Sequence, residues 1–260
     1  MTQENLDEII KNVSIGVLSI GLNQPLLIKT TEVFGKPIIS LDALQNKDLM
    51  QAYWLLDQNA FSSSQPAPIF MKMDALVLGG CPVVMMLPNK LTNPELVKEL
   101  KAQSLEYVPI AFMDLHKISP GNFSVSGLGV AKQYQGKGLG KNMIYAGVKT
   151  AEINTLIIPT QLSNVAAHHA WLHLSPLELI SSDVFHNEPD TIIYKAKIPK
   201  NKEEILNHVK TKEGTHVGFS IFKAYHENAK AQGKKVFVTG YNADGSFKYL
   251  IVNEIDNNRK

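Results

Sequence analysis

Apolar positions along this chain change their period several times, and each change marks an element. Up to about residue 40, short apolar runs at 15–20 and 25–28 alternate with turn residues, which predicts short strands or an irregular lead-in. From Asp42 onward Leu44, Leu49, Tyr53, Leu55 and Leu56 recur at helical spacing, until Ser62-Ser63-Ser64-Gln65-Pro66 ends the pattern as a loop. Two apolar runs then flank 79–82. Asn93-Pro94-Glu95 sets a capping side chain before a first-turn proline and opens a helix that the pattern carries to about residue 105. The extended runs 107–118 and 123–130, parted by Ser119-Pro120-Gly121-Asn122, predict a hairpin. Leu139, Met143, Ala146, Gly147, Val148 and Ala151 fall mostly on one helical face over 139–154, so that helix packs against a sheet. A strand at 155–159, a helix at 164–174 and a strand at 191–198 follow. Beyond Pro199 the residues 202–210 and 219–231 read as helices, and 236–241 with 247–255 as a hairpin around Asp244-Gly245.

Composition narrows the classes this chain can join. Its 260 residues make one large domain or two small ones, and 44% hydrophobic residues are enough to bury a core. Of the 26 basic residues only Arg259 is arginine, so the fork that reads guanine edges and clamps phosphates is almost absent. A sequence-reading nucleic-acid binder is therefore not expected. A single cysteine, Cys81, can form no intramolecular disulfide and no multi-cysteine zinc site, which fits a reducing compartment. Glu4, Asp7 and Glu8 give the start of the chain the wrong sign for a secretory leader, and the apolar stretch 75–87 is broken and too short to span a bilayer. The expectation is a cytoplasmic protein without a membrane partner.

Chemistry concentrates between a predicted strand and a predicted helix, in Val130-Ala131-Lys132-Gln133-Tyr134-Gln135-Gly136-Lys137-Gly138-Leu139-Gly140-Lys141. Gly136, Gly138 and Gly140 let backbone amides approach a ligand, and the start of the next helix adds unpaired N–H groups with a partial positive charge. Such a loop can hold a pyrophosphate, with Lys137 and Lys141 adding charge at its rim. The dinucleotide fingerprint fails because Lys141 stands where its third glycine belongs, and the phosphate-binding loop of nucleotide hydrolases fails because Gly138, not Ser or Thr, follows Lys137. What fits is Gln/Arg-x-x-Gly-x-Gly/Ala, as Gln135-Gly136-Lys137-Gly138-Leu139-Gly140. This resembles the acyl-CoA loop of the GNAT superfamily of N-acetyltransferases. Asn164-Val165-Ala166-Ala167-His168-His169-Ala170-Trp171 is similar to that family's Asn-x-x-Ala-x-x-x-Tyr segment, and the likeness runs from about residue 107 to 200.

The resemblance implies an α/β fold with a central, mostly antiparallel sheet flanked by helices. It implies that backbone groups of Leu128, Gly129 and Val130 pair with the pantetheine arm of acetyl-CoA or another acyl-CoA, and that the amides of Gln135, Gly136, Lys137, Gly138, Leu139, Gly140 and Lys141 cradle its pyrophosphate. Asn164 would hydrogen-bond the pantetheine, while as a residue it is equally a good helix cap. A bound amine would attack the thioester carbonyl in a ternary complex, with a backbone N–H near Val130 on the oxyanion. Trp171 departs from the pattern, since the family often has there a tyrosine that protonates the departing thiolate. His168, at i+4 from Asn164 on the same helical face, is the substitute acid. For the base, Glu106, Asp114 and His116 are candidates, with Ser124 or Ser126 holding a water; Asp114 and His116 share a strand face, where one can orient the other. His169 and His173 have metal-pair spacing but no third ligand, so no metal is expected. The expected division is a lead-in over 1–40, a transferase core over 41–200, and an appended α+β unit over 201–260 that selects the acceptor or dimerises. The acceptor is a small-molecule or protein amine. The rival reading is a GNAT-like module that binds CoA without catalysis.

Overall fold

The computed structural model describes residues 3–20, 32–61, 76, 80–162, 164–174, 177–181, 191–198, 215–242 and 244–253. The predicted run 25–28, the loop at 62–66 and the helix at 202–210 lie outside the described residues. The chain is mixed α/β and forms two compact units, Met1–Ile153 and Asn154–Lys260.

In the first unit α1 (Gln3–Asn12), β1 (Ser14–Ser19), β2 (Glu32–Val33), β3 (Lys36–Asp42) and α2 (Lys47–Phe61) precede β4 (Gly80–Pro88), α3 (Pro94–Glu99), β5 (Tyr107–Ser119), β6 (Asn122–Val130) and α4 (Leu139–Thr150). The strands pair in the order β2-β3-β1-β4-β5-β6, antiparallel except for β1 beside β3. From Val108 to Leu115 every residue of β5 is buried. Strand alternation sends Phe112 and Asp114 to the face carrying Tyr53 of α2, and Met113 to the face where Gly147 of α4 leaves room for its sulfur. The sheet therefore lies between two helices, and β5 is its core strand.

Local chemistry explains where these elements stop. The Asn93 side chain accepts from the amides of Glu95 at 2.9 Å and Leu96 at 3.3 Å, and Pro94 occupies the first turn of α3. That helix ends at Glu99 instead of continuing to about 105, because Lys101 adopts φ +52° and the Ala102 amide turns back 2.9 Å to Val97 O. Glu152, at φ +47°, closes α4 the same way, with Ile153 N 3.0 Å from Val148 O. Between β5 and β6, Gly121 supplies the φ of +72° that the tight turn needs.

The second unit contains β7 (Thr155–Gln161), α5 (Val165–Trp171), β8 (Leu177–Ser181), β9 (Thr191–Lys197), β10 (Thr215–Val217), α6 (Phe219–Ala231), β11 (Lys234–Tyr241) and β12 (Phe247–Asn253). Its strands pair antiparallel in the order β7-β9-β8-β11-β12-β10. The C-terminal hairpin forms around Gly245, at φ +80°, as its Asp-Gly pair predicts. The compact units part at Ile153 and not at the expected residue 200. The reason is pairing: Phe237 and Val238 of β11 bond Glu178 and Leu177 of β8, so the hairpin shares a sheet with β7 and β9.

Glycine at 129 is required by its neighbour across the sheet. A Cβ there would stand 2.3 Å from the Phe112 ring, which is itself boxed edge-on by Tyr53 and Phe61. Gly129→Ala is expected to cost about 1–3 kcal/mol by overpacking, read from the midpoint of urea unfolding. Gly140→Ala, whose methyl meets open space, is the control expected to leave that midpoint unchanged or raised.

Candidate active site

The glycine loop is held from below by the end of α2. Asn59 Oδ1 accepts from the Lys132 amide at 2.9 Å, and the Gln135 carboxamide donates to Ala60 O and Val130 O, both at 2.9 Å. Gln133 and Asn59 both donate to Glu99 of α3, at 3.2 and 2.5 Å. The buried Tyr134 hydroxyl accepts from the Asn93 amide at 3.0 Å, which ties the loop to the α3 cap. These contacts account for Gln135: it is the strut that fixes the strand end to the loop.

Above this frame the backbone is open at Gly136 and Gly140, while the Leu6 side chain of α1 lies beside Gly138. Gly136 has φ +70° and Gly138, the residue before α4, has φ +79°; both lie in the left-handed region that side chains resist. No side chain caps α4, and the positive end of its dipole lies at the loop. A Cβ added at Gly136 or Gly140 would meet nothing within 4 Å. The loop thus has the form of an anion cradle, and the residues present fit the pyrophosphate of CoA. Lys137 does not project from the rim as expected: its Nζ donates to Gln133 O and sits 5.1 Å above the Tyr134 ring. Burial lowers the pKa of that ammonium. Lys141 is half-buried in the first turn of α4.

Leu128, Gly129 and Val130 are the last residues of β6, leading into the loop. On the neighbouring strand, Asp114 is 6% exposed and accepts a short hydrogen bond from the Tyr53 hydroxyl. Burial, and then the Asp114 charge, raise the Tyr53 pKa well above its ordinary value, so this hydroxyl stays a donor. His116 shares the face of Asp114 but takes a different partner, with its Nε2 2.8 Å from Ser126 Oγ. The expected orientation of one by the other is replaced by two separate pairs, Tyr53 with Asp114 and Ser126 with His116.

In the second unit Asn164 caps α5, its side chain accepting from the Ala167 amide at 3.0 Å. His168 is 1% exposed. Its Nε2 lies 3.1 Å from Gln161 O and its Nδ1 3.0 Å from the Tyr194 hydroxyl. A carbonyl only accepts, so Nε2 carries the proton and Nδ1 accepts from tyrosine. The ring stacks on Tyr241 with centroids 4.2 Å apart. Burial lowers the His168 pKa to about 4, opposed by the hydrogen bond to the Gln161 carbonyl. This imidazole is neutral at pH 7 with both nitrogens engaged, so the acid role expected of it does not follow from its surroundings. Trp171, 2% exposed, is a core residue. Cys81 is buried with its pKa pushed up to about 12, which makes it an inert thiol.

Three residues escaped sequence reading: Tyr53, Tyr194 and Tyr241. Tyr53 stood out only as an apolar helix position, although a buried tyrosine needs a partner for its hydroxyl and so points to a nearby acceptor. Tyr194 and Tyr241 reach His168 from β9 and β11, and no local pattern signals that meeting.

With the cradle in view, comparison with known proteins adds one match: residues 100–174 match the model of the acetyltransferase (GNAT) family. That family uses acyl-CoA for acyl transfer, and the matched stretch contains β5, β6, the glycine loop, α4 and α5. No curated protein matches. Among solved structures, the chain is similar to the ribosomal-protein-S18-alanine N-acetyltransferase from Escherichia coli, at 16% identity over 59% of this chain and 90% of that one, with a TM-score of 0.40. It is also similar to the NatC complex bound to Gag peptide and CoA, at 14% identity over 60% and 94%, with a TM-score of 0.43. A GNAT-family acetyltransferase from Staphylococcus aureus Mu50 gives 12% identity over 60% and 95%, with a TM-score of 0.41. No helix among the described residues is long and apolar enough to cross a membrane.

The buried His168 makes the fold acid-sensitive. The unfolded chain takes up a proton at the ordinary histidine pKa of about 6.5, whereas the folded chain holds the ring neutral down to about 4. The stability this group contributes is full above pH 6.5 and is lost as pH falls through 4, by about 3 kcal/mol. Urea unfolding at a series of pH values is expected to show that slope, and His168→Leu to flatten it at a lower starting stability.

Proposed function

We propose that the chain is an N-acyltransferase that moves an acetyl group from acetyl-CoA to an amine, carried by a small molecule or by a protein, in the cytoplasm. One observation carries the reading: an uncapped helix start behind two left-handed glycines, braced by Gln135 and open above Gly136 and Gly140. In this reading the amides of Gln135 to Lys141 hold the pyrophosphate, and Leu128, Gly129 and Val130 offer backbone groups to the pantetheine arm. Bound acetyl-CoA supplies the activated thioester carbonyl that the amine attacks. The protein's own share is to fix both partners and to take up the proton that the amine loses. For that last task β5 carries two groups, Asp114, buried and held by Tyr53, and the half-buried His116, and the exposure of its surroundings favours His116.

The neutral, buried state of His168 and the core position of Trp171 favour one alternative, a module that binds acyl-CoA without turnover. Ligand-shift and turnover assays separate the two. CoA at about a hundred times its dissociation constant is expected to stabilise the chain by about 2.7 kcal/mol, seen as a rise in melting temperature, while ATP and NAD give none. Gly138→Val is expected to abolish the rise, because valine resists a φ of +79°. Release of free CoA from acetyl-CoA with spermidine, lysine or a glycyl tripeptide marks the enzyme; binding without release marks the module. No shift with CoA would overturn both.

A further inference from the structure

Strand β6 has one residue too many for its partner. Asp114 pairs with Gly127 and Leu115 with Val125, so Ser126 is the extra residue of a β-bulge. Bulges re-aim a side chain, and this one brings Ser126 Oγ to 2.8 Å from His116 Nε2. Ser124 is the register partner of His116, and Ser126 lies just past it at the bulged step. The bulge also lies two residues before Leu128, at the start of the backbone that the proposed function gives to the pantetheine arm.

The two candidate bases on β5 differ in what holds them. Asp114 is buried and already accepts from Tyr53 across the layer between α2 and the sheet, an arrangement that serves packing. His116 is half-buried beside the exposed Ser126, with a route for protons to water. A serine hydroxyl can accept one proton while giving up another, and an imidazole Nε2 can receive it.

We infer that Ser126 and His116 form a proton relay in which Ser126 Oγ takes a proton from the acceptor amine as its own passes to His116 Nε2. This rests on the acyl-transfer reading. The protonated amine becomes neutral, and its lone pair forms the N–C bond as the C–S bond breaks. The second amine proton leaves with the sulfur as free thiol, and the proton on His116 passes to water. Nε2 must then accept from serine in the resting state, which places the ring proton on Nδ1. Ser126 is the catalytic residue of the pair and Tyr53 with Asp114 has no part in the transfer.

The relay is tested first without any ligand. Nitrogen-15 imidazole spectra are expected to show His116 with its proton on Nδ1, and Ser126→Ala is expected to move the balance toward Nε2; a resting Nε2–H form in the unaltered chain would overturn the inference. Activity supplies the second arm. With whichever amine of the panel above turns over, Ser126→Ala and His116→Ala are each expected to lose about 100-fold in kcat/KM, with no further loss when combined. Hydroxylamine, which is largely unprotonated at neutral pH, is expected to be acetylated almost as fast by the variants as by the unaltered chain. Equal losses with both nucleophiles would mean a structural role and sink the relay, as would full activity in either variant. Melting-temperature shifts with CoA, measured on each variant, keep the two failures apart. An unaltered chain that binds no CoA, or binds it and acetylates no amine, overturns the acyl-transfer reading together with the relay. One that binds and turns over while Ser126→Ala matches it overturns the relay alone.

Discussion

Between Val108 and Leu115 neither face of β5 is wet, and successive side chains go to opposite helices. That constraint organises the first unit. Phe112 packs against its neighbour strand, which β6 allows only by having glycine at 129, where the Phe112 ring and the Ala60 side chain fill the space a Cβ would need. Asp114, carried into the same dry layer, needs a donor there, and Tyr53 of α2 provides it. The helix that supplies this donor also supplies Asn59 and Ala60, whose backbone and side-chain oxygens hold Lys132 and Gln135. Packing of one strand thus reaches the loop through a single helix.

What could be read from the sequence was whatever is decided by neighbours along the chain. The Asn93 cap, the Pro120-Gly121 turn, the Asp244-Gly245 turn and the glycine loop all depend on residues within a few positions, and their chemistry is explicit in the residue types. The ends of α3 and α4 were not legible, since Lys101 and Glu152 adopt left-handed backbone without being glycine or asparagine. The partners of His168 were not legible either. Its helix position suggested a titrating side chain, but Tyr194 and Tyr241 arrive from strands far along the chain and convert it into a neutral core residue. The same holds for the C-terminal hairpin, which reads as an appendage until its pairing with β8 is seen.

The shortage of arginine gains a physical meaning from the loop. A cradle built on arginine would carry its charge on long side chains that must be ordered on binding. In the proposed reading the donors are the backbone amides at the uncapped start of α4, and the left-handed Gly136 and Gly138 fix the path of the loop that carries them. Lys137, turned back onto Gln133 O and the Tyr134 ring, stabilises the loop and does not reach over it. In the proposed reading, selectivity for a diphosphate would come from backbone geometry, which a single Cβ at 138 is enough to disturb, and charge would be left to the helix dipole. An anion site of this kind loses less to salt than one made of exposed lysines, because its donors are short-range and fixed. Bracing by Asn59, Ala60 and Glu99 is what makes such a site workable, since amides attract an anion strongly only when they need not be rearranged to meet it.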